Sequence, residues 1–396
     1  MAGLQEWIAP FVYSIEKRID RLKYARRRNK PRRRPLEIQV YNGYGNEEEL
    51  VLTGRVLEKR YIKPATEDDR VIVNLLNFIK RMDSKEIPFA RLRGSFGDTV
   101  AETRADEEGM FEIRLRPDGG LVPGEWHEIE LELISPEDRF SKAPVRSTGK
   151  AFVPHPEEGY IVISDIDDTV LKTNAFNILK MVRTVFLKNA RTRLPFEGAA
   201  AFYRALNEGA REPNNPLFYV SSSPWNLYDL LYDFLEFQNF PSDMALFLRN
   251  WGITEDEILP SKTTRYKTEV INSIMSFYNK TPFILIGDSG QEDATIYALL
   301  AENFPDRILS IYIRDVTMGS RSSLQDKKRK KLQEAKRRAE AVGTDFIVAK
   351  TTVDMAAHAI ERGWIKKSKL REIDIERHQD RGSPGTEKKE QPVQSS

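Results

Sequence analysis

Tyr160-Ile161-Val162-Ile163-Ser164-Asp165-Ile166-Asp167-Asp168-Thr169 joins two signals in ten residues. Four apolar residues between Gly159 and Ser164 predict a short buried strand. Asp165, Asp167 and Asp168 then crowd its end. Open α/β sheets hold their ligands at the carboxyl edge of the strands, and like charges this close repel unless something offsets them. The combination points to a magnesium site with one aspartate kept as nucleophile. An acidic turn that merely stops a strand fits the same residues, since Asp is common in turns. The choice between the two rests on the rest of the chain.

Downstream of this segment, strands and helices alternate. Strands are expected at 217–220, 246–248, 283–286, 308–313 and 346–348. Helices are expected at 176–188, 199–206, 226–237, 266–278, 294–303, 324–341 and 356–362. This alternation is the pattern of a parallel sheet covered on both faces. Two further strands end in polar groups, one in Ser221-Ser222-Ser223-Pro224-Trp225 and one in Gly287-Asp288-Ser289-Gly290-Gln291-Glu292-Asp293. Adjacent parallel strands would set these ends beside Asp165. Phosphoryl transfer needs such a set: carboxylates for Mg²⁺, hydroxyl and N–H donors for phosphate oxygens, and a lysine against the accumulating charge. Lys267 is the best lysine, placed before an expected helix, with Lys262 as competitor.

Upstream, residues 36–153 predict an all-β region, a small β-sandwich with runs at 36–41, 50–57, 89–92, 99–103, 111–115 and 127–133, interrupted by one apolar helix near 71–79. Residues 4–24 predict an amphipathic helix, followed by the basic run 26–34. Such a run is either a solvated linker or a contact with an anionic membrane surface, and nucleic acid is the less favoured partner. The helix over 324–341 is highly charged, and its basic block at 327–331 reads most simply as a solvated face. From residue 366 the chain is polar and is expected to be disordered.

Composition narrows the classes. The 396 residues carry 62 basic and 60 acidic side chains and no cysteine. Disulfides, zinc–thiolate sites and cysteine nucleophiles are excluded, and a cytoplasmic location is expected, with peripheral membrane contact left open. No stretch reaches the ~20 apolar residues of a membrane span. The four histidines form no metal-ligand spacing.

The motifs of residues 160–365 resemble the haloacid-dehalogenase superfamily of phosphatases. DxDxT stands at Asp165–Thr169, a strand-end serine at Ser221, a lysine at Lys267, and GD with a later acid at Gly287-Asp288 and Asp293. A closer resemblance is to the actin-patch-associated phosphatidate phosphatase family. Its DIDDT, SxSPWxLY and GDSGQxD segments occur here at 165–169, 221–228 and 287–293. The resemblance implies a haloacid-dehalogenase-like parallel sheet without a large cap, preceded by the all-β region. It implies Asp165 as nucleophile, Asp167 as general acid and base, and Lys267 as the third catalytic residue. It implies Mg²⁺ on Asp165, Asp288, Asp293 and the Asp167 carbonyl, and Ser221, Ser222, Ser223 and Thr169 toward the phosphate, with Asp168 orienting the turn. Trp225 is as readily core as substrate platform. The expected organisation is a basic N-terminal segment at 1–35, a β-region at 36–153, a catalytic domain at 154–365 and a tail at 366–396. The expected activity is Mg²⁺-dependent hydrolysis of phosphatidate or another lipid phosphate. A phosphoprotein, sugar phosphate or nucleic-acid end is the first rival substrate, and a non-catalytic scaffold is the second rival reading.

Overall fold

The computed structural model describes residues 34–59, 85–140, 143–155, 159–166, 197–211, 214–225, 228–241, 245–249, 260–290, 292–316 and 323–382. The helices expected at 4–24, 71–79 and 176–188, the basic run apart from Arg34, and Asp167, Asp168 and Thr169 lie outside these residues.

The first region is built from β1 (Leu36–Val40), β2 (Gly43–Gly45), β3 (Leu50–Glu58), β4 (Arg91–Phe96), β5 (Thr99–Arg104), β6 (Met110–Leu115), β7 (Glu125–Ser135) and β8 (Arg146–Val153). Period-2 patterning drives it: Phe111, Ile113 and Leu115 are buried while Glu112 and Arg114 face out. Two facing sheets were expected. The strands instead form one hydrogen-bonded sheet in the order β1-β3-β2-β8-β7-β4-β5, with β6 paired to β3. The Thr103 hydroxyl donates to the Glu112 carbonyl at 2.7 Å, so β5 and β6 meet and the sheet wraps round its own apolar core. The short, glycine-rich β2 and the glycine-interrupted β8 gave no sequence signal. Gly149 in β8 is required by packing, because a Cβ there would lie 2.5 Å from a Val40 methyl.

The second region is a six-stranded parallel sheet of β9 (Ile161–Asp165), β10 (Leu217–Pro224), β11 (Leu246–Arg249), β12 (Phe283–Asp288), β13 (Ile308–Arg314) and β14 (Asp345–Ala349). Its order is β11-β10-β9-β12-β13-β14. The described helices are α1 (Ala199–Glu208), α2 (Tyr228–Phe237), α3 (Pro260–Phe277), α4 (Asp293–Asn303), α5 (Ser323–Ala341), α6 (Thr352–Glu361) and α7 (Lys369–Gly382). Alternate strand residues bury on opposite faces. Val162, Tyr219, Ile284 and Tyr312 pack with α1, α2, α6 and α7. Ile163, Phe218, Leu285 and Ile311 pack with α3, α4 and α5. The chain leaves β9 for β10 on one side and returns to β12 on the other. The crevice between the carboxyl ends of β9 and β12 is therefore the point where such sheets bind ligands.

Two expectations are corrected and a third, left open, is decided. The polar segment from residue 366 is not all disordered tail, since α7 forms there. Its Ile373 is fully buried, and its acids serve α1, whose N-cap Gly198 has no side chain to offer. Asp380 accepts from the Gly198 N–H at 2.7 Å, and Glu376 accepts from the Ala201 N–H at 2.9 Å. Lys267 lies inside α3 rather than at its start, because the helix begins at Pro260, whose fixed φ suits a first helical position. Trp225, read as either core or platform, takes the core place: half-buried, it packs against the core of the parallel-sheet region. It stacks on Tyr41 of the β-region with ring centroids 4.5 Å apart.

The two regions interlock. Tyr44 of β2 is buried against Phe218, Phe247, Phe277 and Tyr278 of the parallel-sheet region. The Tyr278 hydroxyl donates to the Gly45 carbonyl at 2.9 Å. Among the described residues, no helix is long and apolar enough to cross a membrane.

Candidate active site

The register of the parallel sheet assembles the site. Val220 of β10 pairs with Asp165, so Ser221 follows directly beside the β9 end. On the other side, Ile286 of β12 pairs with Ser164, which carries Asp288 to the same edge. The three expected strand ends are thus neighbours.

Lys267 joins them. Its Nζ lies 2.8 Å from Asp165 Oδ1 and 3.0 Å from Asp293 Oδ1. The side chains are 2%, 2% and 0% exposed respectively, so these charges depend on one another rather than on water. The other Asp293 oxygen accepts the Asp288 N–H at 3.2 Å, and Asp288 Oδ1 accepts the Gly290 N–H. Asp293 is the first residue of α4, where the helix dipole favours a carboxylate. Gly287 makes this approach sterically feasible: a Cβ there would lie 2.7 Å from Asp293 Cβ. Asp165, Asp288 and Asp293 each present an oxygen, all within 4.8 Å of one another. Three carboxylates exceed the positive charge of Lys267 and of Arg314, the register partner of Asp288, and hard oxygen donors at this spacing suit a divalent cation.

The serine segment is buried at the same edge, with Ser221 and Ser223 at 0% and Ser222 at 5% exposure. The Ser223 N–H donates to Ser221 Oγ at 3.0 Å. Ser223 Oγ has no hydrogen-bond partner among the described residues. Buried hydroxyls are seldom left this way, so this one has a donor and an acceptor to spare.

Two buried phenols flank the carboxylates. Tyr203 and the Ser164 hydroxyl share a 2.7 Å hydrogen bond, and the Tyr297 hydroxyl donates to the Ile286 carbonyl at 3.0 Å. Burial, reinforced by Asp165 and Asp288, pushes the Tyr203 phenol far up. Burial, reinforced by Asp293 and Asp165, does the same to Tyr297. Both stay neutral. Sequence reasoning missed Tyr203, and it missed Arg314, which pairs in register with Asp288 and whose charge reaches Tyr203. A signal existed for Arg314: with Asp315 it ends an apolar run at 308–313, as Asp165 ends its own. Asp167 and Thr169 lie outside the described residues, as does the Lys262 side chain.

The sequence can now be set against known proteins. Residues 160–315 match the family model described as "Phosphatidate phosphatase APP1, catalytic domain". Phosphatidate phosphatase APP1 of Saccharomyces cerevisiae is 29% identical over 275 residues, covering 69% of this chain and 42% of its own. An uncharacterized protein of Schizosaccharomyces pombe is 33% identical over 158 residues, covering 40% of this chain and 25% of its own. The chain spans less than half the length of either relative. Among solved structures, a carbohydrate acetylesterase from Xanthomonas citri covers 75% of this chain and 73% of its own at 9% identity, but with a TM-score of 0.24 it carries no argument. By its motifs and this match, the segment 160–315 is similar to the phosphatidate phosphatase APP1 catalytic domain.

Proposed function

We propose that this chain is a Mg²⁺-dependent phosphatidate phosphatase working through an aspartyl-phosphate on Asp165. The observation that carries the reading is Lys267 buried between Asp165 and Asp293 at the sheet's switch point, with Asp288 alongside. In this reading the parallel-sheet region is a haloacid-dehalogenase-like catalytic domain from residue 154, and the β-region at 36–153 supports it. Asp165, Asp288 and Asp293 would hold Mg²⁺. Bound there, the ion would supply positive charge to the phosphate oxygens as charge moves toward the leaving group.

The chain's own residues would do the rest. An Asp165 oxygen attacks phosphorus, and the ester P–O bond breaks. Asp167 gives its proton to the departing alkoxide. Asp167 then takes a proton from water, which attacks phosphorus, breaks the bond to Asp165 and releases inorganic phosphate. Lys267 fixes Asp165 and offsets charge in the transition state. The Ser221 hydroxyl, the Ser222 N–H and the unpartnered Ser223 hydroxyl hold phosphate oxygens.

The test is phosphate release from short-chain phosphatidate in mixed micelles, with Mg²⁺, with EDTA, and with Asp165→Asn. Release that needs Mg²⁺ and falls by ~10³-fold or more in the variant is expected, since the nucleophile is gone. Full activity of Asp165→Asn would sink the mechanism. Turnover of a soluble aryl phosphate without any of phosphatidate would remove the lipid and keep the chemistry.

A further inference from the structure

The basic block Lys327-Lys328-Arg329-Lys330-Lys331 lies in the N-terminal half of α5. A helix that connects parallel strands runs back along the sheet, so its N-terminal end stands at the carboxyl edge of the strands. Two contacts confirm the placement. Lys328 Nζ donates to the Gly290 carbonyl at 2.6 Å, and Lys331 Nζ lies 2.9 Å from Glu292. Both partners sit on the loop between Asp288 and Asp293. The cations therefore rim the catalytic edge.

This arrangement is unfavourable for the helix itself. Lys327 faces Lys330 and Lys331 one turn on, where like charges repel. Lys327, Arg329 and Lys330 are exposed, and no ion pair or hydrogen bond of theirs is found among the described residues. The chain as a whole carries a formal charge of only +2, so this block is a local concentration of positive charge on a nearly balanced chain. An anionic surface meeting the end of α5 would turn each repulsion into attraction.

We propose that the N-terminal end of α5 docks the catalytic edge onto an anionic bilayer through Lys327, Arg329 and Lys330. The inference rests on the phosphatidate reading, because a lipid phosphate must be met where it lies in a membrane. The end of the helix, not one side of it, faces the lipid. Cations around its circumference then serve equally, and no apolar stripe is needed. Each basic residue near an anionic membrane adds attraction, so three such residues together make a local anchor.

The experiment measures partition of the full chain onto phosphatidylcholine vesicles with and without phosphatidylglycerol, an anionic lipid that is not the proposed substrate. The variant is Lys327→Gln/Arg329→Gln/Lys330→Gln, which keeps helix-forming side chains. Wild type is expected to bind the phosphatidylglycerol vesicles in a salt-sensitive manner. The variant should lose ~10- to 100-fold in partition while turning over a soluble aryl phosphate at the wild-type rate. Equal partition of variant and wild type would overturn the proposal. Binding to duplex DNA that the substitutions abolish, with no binding to vesicles, would overturn it in favour of nucleic acid. Vesicle binding lost in the variant of a protein inactive on phosphatidate would support docking and count against the catalytic reading alone.

Discussion

Lys267 is the buried cation of the candidate site. It is 2% exposed and sits between two carboxylates. Removing one partner of a buried ionic cluster leaves charge uncompensated, at a cost of about 3–5 kcal/mol. Lys267→Met keeps the apolar stem and removes the ammonium. The urea midpoint measured in EDTA should fall by an amount corresponding to that loss, and Mg²⁺ should restore part of it by binding only the folded state. A midpoint unchanged in EDTA would mean that the acids are protonated or repack. At this scale the sequence was informative wherever chemistry is local: Asp165, Ser221, Asp288 and Asp293 stand in short motifs at strand ends. Tyr203 was not legible, because its bond to Ser164 joins α1 to β9 across 39 residues.

Strands and helices with an apolar period were legible, and those held by polar contacts were not. α7 reads as a solvated tail because one fully buried side chain, Ile373, and a few capping acids secure it. β2 has three residues, too few to show a period. α6 is attached to β13 and β14 by a histidine that makes this docking pH-sensitive. His358 Nε2 lies 3.3 Å from Asp345, and the Tyr312 hydroxyl is 3.0 Å from Nδ1. Burial holds the imidazole below its ordinary value, against the pull of Asp345. With the folded value depressed, the unfolded chain binds the proton more readily. The contribution to stability is complete above an unfolded value of ~6.5 and is lost as pH falls through the folded value. The slope is at most ~1.4 kcal/mol per pH unit. Urea midpoints followed from neutral pH downward should show this decline. His358→Gln should flatten it, and parallel profiles for the two proteins would refute the assignment.

Over the whole molecule, the change from short β runs to β/α alternation is met by a β-rich region and a parallel-sheet region, but their join was invisible in the sequence. Tyr41 stacks on Trp225 and packs against Tyr228, and Tyr44 enters an aromatic cluster supplied by the other region. Partners 160 residues or more away leave no trace in local pattern. Truncating such a buried ring costs about 3–5 kcal/mol. Tyr44→Ala is therefore expected to lower the calorimetric Tm of the parallel-sheet region as well as that of the β-region. Wild type should unfold in one transition, and two well-separated transitions in wild type would contradict this coupling.

Tyr44 also bears on how such a protein can be recombined. A gene fusion that joined the chain at residue 154 would transplant a parallel sheet with an open aromatic socket. Water would enter where a phenol ring belongs, and the exposed Phe218, Phe247 and Phe277 would invite aggregation. Any arrangement that separates this parallel sheet from its β neighbour must therefore bring its own plug. The need of each region for the other comes down to the shape of one side chain.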